Sequence, residues 1–581
     1  MACRYPKQNA MTREKCHWKT FLCCGIFVWL LVNLLQGCFT EIQEDEAYYA
    51  LYGEHLAWGY FDHPPMVGLM TWLGSRLFSG LMGVRLLTIL SSSLLLFILW
   101  KLVDEAAPDW KKVGLFLTLF GSVTMLHLYG FITTPDVPLL LFSSLFLLVY
   151  RDYLKAPNWP RALWMGVLMA CMLYSKYHAL LLLGLVVLSN LSLLKDGRFY
   201  AACGVALLLM TPHLLWQVRA DFPSLRYHLV QRSEPFRWQY VLEYLPNQLL
   251  VFNPFTLAAV VAVLVRHRAQ DRFERGLRFL VVGFFFFFWA MAFRGHVEPH
   301  WTVVSALPVV VLLYRWSLND QRLRRYVKRV ILPSLLLMLA LRIVLPTSLS
   351  APYGFSGKEP HYRAVEAVAG DAPVAFQGSF QQPALYHYFT GKASSTLRSY
   401  YDRMTQFDLW QFDRDWQGGK VFVQTTFSTL NQSYPTDFGE VKGFFASPFQ
   451  SANRLVTDQW FVPAREGIPA FHAGDSIQLK YTIHNPYPQA VDFHHGQLDM
   501  NLVLLLLDTG THFYAWHDTV DMIPPGATHT GWLKAVLPRE LPPGRNRLTL
   551  GIGDRMSIFS TTEHAVDVLI ESPTPDRNSS Y

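Results

Sequence analysis

Apolar runs long enough to cross about 30 Å of hydrocarbon recur through the first 350 residues and then stop. They fall at about 21–38, 84–103, 113–131, 136–150, 162–176, 177–194, 199–217, 245–265, 277–294, 300–315 and 329–346, which predicts eleven spanning helices. The stretch Met66 to Phe78 is apolar but brief, and predicts a re-entrant or interfacial helix. From Ala351 the pattern is that of a water-facing chain. A helix over His361–Ala369, a strand over Val374–Gln377, a helix around Pro383–Tyr388 and a strand over Lys420–Thr425 predict an α/β domain across residues 351–455. Residues 460–575 read as all-β. Ser476–Ile483 alternates apolar and polar positions, and Leu502–Leu507 is an unbroken block too short to span a membrane. Turns at Asn485-Pro486, Pro524-Pro525-Gly526 and Pro542-Pro543-Gly544 divide the strands, as in an immunoglobulin-like sandwich. The fold class is therefore a polytopic α-helical membrane protein over residues 1–350 with C-terminal α/β and β-sandwich domains.

Composition supports this division. The chain is 51% hydrophobic and 16% charged, against about 25% charged in ordinary soluble proteins. Its net charge of +7 does not point to nucleic acid, because the basic residues sit in short connections rather than on one soluble face. Counting from a cytoplasmic N-terminus, successive returns carry Lys111 and Lys112; Arg151, Lys155 and Arg161; Lys195 and Arg198; Arg266, Arg268, Arg272 and Arg275; and Arg322, Arg324, Arg325, Lys328 and Arg329. The opposite side carries chiefly Arg219, Arg226, Arg232 and Arg237. That asymmetry follows the positive-inside rule and puts the C-terminal domains outside the cytoplasm. No cysteine follows Cys203, so those domains must hold together without disulfides.

Polar clusters interrupt the apolar pattern at five places, all on the outer side of this topology. After the first span come Glu41, Glu44, Asp45 and Glu46; Asp45 and Glu46 point to different sides of a helix, so one at most faces a given site. Such a cluster is either a solvated acidic loop or a set of carboxylates held by a cation or donor. In Tyr60-Phe-Asp-His-Pro-Pro65, the proline pair stiffens an elbow carrying Asp62 and His63. Asp136 stands at the mouth of the fourth span, where it either caps the helix or binds a cation or substrate. Lys176 and His178 break the apolar sequence between the fifth and sixth spans; the lysine either snorkels or holds a phosphate. Arg294 precedes His296, Glu298 and His300, whose spacing permits a divalent-metal site although Pro299 disturbs helical presentation and no fourth ligand is specified. No other cofactor is implied.

A lipid setting and basic groups at its rim suit a sugar donor carried on a polyprenyl phosphate. Transfer needs a carboxylate to take the acceptor's proton and cations to stabilise the departing phosphate. No Gly-rich phosphate loop marks a nucleotide-sugar site. A lipid-carrier flippase or transporter would instead place polar or broken helices near the bilayer midplane. An enzyme like an O-antigen ligase or polymerase would centre on Arg and His in a large outer loop.

The ordered set Asp45-Glu46-Ala-Tyr-Tyr, His63-Pro-Pro65, Thr134-Pro-Asp136 and Ser175-Lys176 resembles the integral-membrane glycosyltransferases of family 39 type, the protein O-mannosyltransferases and lipid A aminoarabinose transferases, over about residues 20–345. The resemblance implies a lipid-carrier-dependent glycosyltransferase, transferring a hexosyl or pentosyl group, in a bacterial inner membrane. It implies Asp45 as the catalytic carboxylate, with Glu46 beside it. Asp136 and Lys176 are implied at the donor-phosphate or acceptor site. Asp62, His63, His178, Arg294, Glu298 and His300 complete the expected substrate-binding set, and the acceptor is a lipid, a glycan or a protein. The second outer domain departs from the aminoarabinose transferases and leaves lipid A open as acceptor.

Overall fold

The computed structural model describes residues 7–227, 236–398, 403–425, 428, 430–462, 467–494, 499–553, 558–559 and 565–571. Arg232 and residues 572–575, included in the sequence reading, lie outside the described residues. Two compact units divide at Gly357 and Lys358.

The first unit is helical. It opens with α1 (Lys7–Phe39), then two short helices, α2 (Glu44–Glu54) and α3 (Met66–Leu77), and α4 (Gly80–Val103). There follow α5 (Trp110–Gly121), α6 (Thr124–Leu128), α7 (Asp136–Lys155), α8 (Trp159–Ser175), α9 (Ala179–Ser189), α10 (Gly197–Arg219) and a single turn, α11 (Pro223–Arg226). The unit closes with α12 (Trp238–Phe252), α13 (Pro254–Arg266), α14 (Arg272–Met291), α15 (Ala306–Asn319), α16 (Gln321–Tyr326) and α17 (Leu332–Val344). Every apolar run carries helix, but five helices among the described residues are long and apolar enough to cross a membrane unaided, or up to six with one bent pair. Most of the rest are shorter because turns interrupt them, whereas α14 is 20 residues long but begins with Arg272, Glu274, Arg275 and Arg278. Residues 245–265, expected as one straight span, are the bent pair: α12 and α13 meet at 100°. Asn253 between them has φ 67° and its side chain accepts the Phe255 N–H at 3.1 Å, while Pro254 offers no N–H to continue α12.

The brief apolar stretch is the separate helix α3, packed between α2 and α4. Thr71 donates to the Tyr49 carbonyl at 3.0 Å, and a Cβ on Gly53 would lie 2.5 Å from the Thr71 hydroxyl. Gly74 approaches α4 so closely that a Cβ there would stand 2.0 Å from the Gly83 carbonyl oxygen. At the centre of the unit α15 is apolar on all sides, and Val309, Val310, Val311, Leu312 and Leu313 are all fully buried.

The second unit holds α18 (Glu359–Ala369), α19 (Gln381–Thr390), α20 (Gln406–Trp410) and a five-stranded sheet of β1 (Val374–Gln377), β2 (Ser394–Leu397), β3 (Val421–Gln424), β4 (Gln432–Thr436) and β5 (Gly439–Ala446) in the order β2-β1-β3-β5-β4. β1 runs parallel to β2 and β3, and β5 is antiparallel to both β3 and the edge strand β4. After it the chain is all-β. One sheet orders β11 (Thr511–Tyr514), β10 (Asn501–Leu506), β15 (Gly544–Gly553), β17 (Val566–Glu571) and β7 (Ala470–His472), with β16 (Ile558–Phe559) paired to β15; another orders β12 (Trp516–His517), β14 (Thr528–Val536), β8 (Ser476–His484) and β6 (Val456–Trp460), and β9 (Val491–Asp492) pairs with β13 (Met522–Ile523). Leu479, Tyr481 and Ile483 of β8 share a buried core with Leu502, Leu504 and Leu506 of β10. Alternation in β8 marks a strand with one wet face, whereas the unbroken block in β10 is buried on both.

Candidate active site

The acidic segment after α1 folds into the first turn of α2 and separates its two central carboxylates. Asp45 is exposed and Glu46 is fully buried. Glu46, expected beside Asp45 among the catalytic groups, is instead consumed by structure. Arg85, also fully buried, donates through Nε to Glu46 Oε1 at 2.9 Å and through Nη2 to Oε2 at 2.5 Å. The Thr133 N–H reaches Oε1 at 2.8 Å and the Gln43 N–H reaches Oε2 at 3.0 Å. The remaining Arg85 N–H groups bond to the Gly37, Thr40 and Glu41 carbonyls. One ion pair thus ties the end of α1, the start of α2, α4 and the loop before Asp136. In the sequence Arg85 is marked only as a lone arginine at the head of an apolar run, a position that demands a partner.

The proline-stiffened elbow is pinned to α2. Tyr52 donates to Asp62 Oδ1 at 2.6 Å, its ring stacks on Tyr60 at 3.8 Å, and the Tyr49 hydroxyl meets His63 Nε2 at 3.2 Å. Burial, with the charges of Asp45, Asp62 and Asp136, holds the Tyr49 phenol well above its usual range, so it stays neutral.

Asp136 begins α7, but its carboxylate is turned to side chains rather than used to cap its own helix. Lys176 Nζ lies 2.8 Å from Oδ2, the Tyr129 hydroxyl 3.2 Å and His300 Nε2 3.7 Å, and Asp136 is only 2% exposed. Lys176 follows the last turn of α8 with an extended backbone, φ −162° and ψ 143°, which ends the helix and turns the side chain inward. His178, two residues on, precedes α9, its ring against Phe288 and Trp301.

The residues expected to form a metal site do not gather. His296 Nε2 lies 3.7 Å from Glu298 Oε2, while His300 is turned to Asp136. Among the described residues no three His, Cys, Asp or Glu side chains come together as a ligand set. The 3₁₀ turn Pro299–Ser305 starts between Glu298 and His300 and directs them apart.

A cleft of about 560 Å³ joins several of these groups. His63, Lys176, His178, Arg294 and His296 supply its polar lining; Leu180, Leu181, Phe287, Phe288, Met291 and Trp301 supply apolar wall. Asp136 lies behind Lys176 and is not among the lining residues, nor are Asp45, Asp62, Glu298 and His300. His63 connects the cleft, through Tyr49, to the helix that carries Asp45.

Residues 62–216 match the model of the dolichyl-phosphate-mannose-protein mannosyltransferase family. Among solved structures, the crystal structure of ArnT from Cupriavidus metallidurans bound to undecaprenyl phosphate is similar at a TM-score of 0.53 and 16% identity, covering 73% of this chain and 98% of that one. That likeness establishes the fold. The Pseudomonas fluorescens alkylpurine DNA glycosylase AlkC bound to DNA containing an abasic site analog aligns over 67% of this chain and 96% of its own at 10% identity, but a TM-score of 0.14 carries no argument. No curated protein matches the chain.

Proposed function

We propose that this multi-pass membrane protein, of the family 39 glycosyltransferase type by the sequence of residues 62–216 and by fold, moves a sugar from a polyprenyl phosphate to a lipid-linked, glycan or protein acceptor. The reaction takes place at the outer face of a bacterial cytoplasmic membrane. One observation carries the reading: a single cleft offers Lys176, Arg294 and His63 beside Leu180, Phe287 and Met291, the complement of a charged head on a hydrocarbon chain.

The acceptor oxygen bonds to the anomeric carbon as that carbon's bond to the phosphate oxygen breaks. Asp45 takes the acceptor's proton, and the polyprenyl phosphate leaves with the bonding electron pair. Lys176 and Arg294 offset the charge that develops on the phosphate. Asp136 acts through Lys176, holding the ammonium in place at 2.8 Å. Tyr49 and Tyr52, bonded to His63 and Asp62, fix α2 and so aim Asp45.

The test is transfer by purified protein from a panel of polyprenyl-phosphate sugars. Asp45→Asn, inserted and folded as the parent, is expected to lose at least about a hundredfold in turnover. Near-parental turnover would overturn the assignment of Asp45.

A further inference from the structure

The chain runs from His300 at the candidate site to Asp320 through the 21-residue stretch Pro299–Asn319, one membrane thickness of about 30 Å. At that far end lies a second cleft, of about 310 Å³, between α13 and α16. Ala258, Ala259 and Ala262 give it a floor with little side-chain bulk, while Arg266 and Arg322 stand at its rim. A neighbouring groove of about 500 Å³ shares Ala258, Ala262 and Arg266 and continues along Leu249, Val261 and Val265. Val261 and Val265 are 52% and 80% exposed, on a helix whose other face is buried, so this groove opens to the hydrocarbon.

The charges of the cleft are unbalanced. Its one carboxylate, Asp320, accepts the N–H groups of Arg322 and Leu323 and lies 3.7 Å from His267, whose ring stacks on Trp316 at 3.9 Å. Among the described residues neither Arg266 nor Arg322 has a carboxylate within ion-pair distance, and both are exposed. Tyr326 closes the cleft, its hydroxyl donating to the Phe255 carbonyl at 3.2 Å. Two guanidiniums above an apolar groove that faces lipid suit a phosphodiester with acyl chains attached, because arginine binds phosphate through a planar fork and the chains follow the exposed valines.

We propose that this cleft is a binding site for one anionic glycerophospholipid, its phosphate held by Arg266 and Arg322 and an acyl chain laid along Val261 and Val265. The site is separate from the sugar-transfer site, and its test does not depend on transfer. Full-length protein in detergent is titrated with phosphatidylglycerol and with phosphatidylcholine of the same acyl chains, and bound lipid is counted by native mass spectrometry. The parent is expected to favour phosphatidylglycerol by about tenfold, and Arg266→Gln with Arg322→Gln to reduce that preference to near unity. Arg272→Gln with Arg275→Gln removes equal charge from the start of α14 and is expected to leave the preference intact. Arg266→Lys with Arg322→Lys, which keeps the charge, guards against misfolding of the Gln pair and is expected to retain at least half of it. Millimolar inorganic phosphate is expected not to displace the lipid. The proposal falls if the parent binds both lipids equally, if the Gln pair at the cleft keeps its preference, if the control pair loses as much, or if inorganic phosphate competes.

Discussion

Replacing Glu46 by Gln would leave the Arg85 guanidinium fully buried without its counter-charge, a change that costs about 3–5 kcal/mol. The expected outcome is a large fall in thermal stability and loss of transfer together, and Glu46→Gln combined with Arg85→Met should recover part of the stability. Asp45, one position earlier, is exposed, so Asp45→Asn should abolish transfer with the melting temperature unchanged. Scanning calorimetry beside a transfer assay separates the two carboxylates. Lys176→Met tests the third charge. It leaves Asp136 buried without its cation, and is expected to lower stability and to raise the KM for the polyprenyl-phosphate donor more than it lowers kcat for the fraction that folds. Helical periodicity set Asp45 and Glu46 on different sides of one helix, so that at most one could face a given site. Which of them faces inward depended on Arg85, 39 residues away, and no local pattern reports that distance.

The elements around the site are held at close range by small residues. A Cβ on Gly74 would stand 2.0 Å from the backbone oxygen of Gly83, an atom that cannot rotate away. Gly74→Val should therefore push α3 from α4, loosen the Asp62–His63 elbow that precedes α3, and reduce both transfer and resistance to proteolysis at that elbow; limited proteolysis with sequencing of the cut site checks it. A serine at Gly184, where an added Cβ meets nothing within 4 Å, is the neutral control. Helix α3 was legible as a short apolar run after a proline pair. The bend of 100° between α12 and α13 had a local mark in Asn253-Pro254, a breaker dipeptide inside the run, but the expectation of one span over 245–265 rested on its overall hydropathy.

On the scale of the whole molecule, the second unit has its own internal ion pair. Arg454 donates to Asp413, and burial nonetheless raises the Asp413 carboxyl above its usual range, with the Arg454 charge acting against that rise. A carboxyl whose folded pKa is raised takes up its proton more readily folded than unfolded, so its contribution to stability is present at low pH and is lost as pH rises through the folded value. Arg454→Met removes the opposing charge and raises that value further. The variant should be destabilised more at pH 8 than at pH 5, as read by hydrogen exchange over β1, β3 and β5 in the full chain; equal destabilisation at both would contradict it. The sequence by itself determined that this is a membrane protein with strand-rich C-terminal domains, since span length, charge placement and a change of period are local properties that any window of residues reports. It also picked out His63, Lys176, His178, Arg294 and His296, polar side chains that line the cleft. Only the tertiary structure decided that Glu46 braces the fold, that Asp136 anchors Lys176, and that His296, Glu298 and His300 part company, because each depends on which distant residue arrives beside the side chain once the helices have packed.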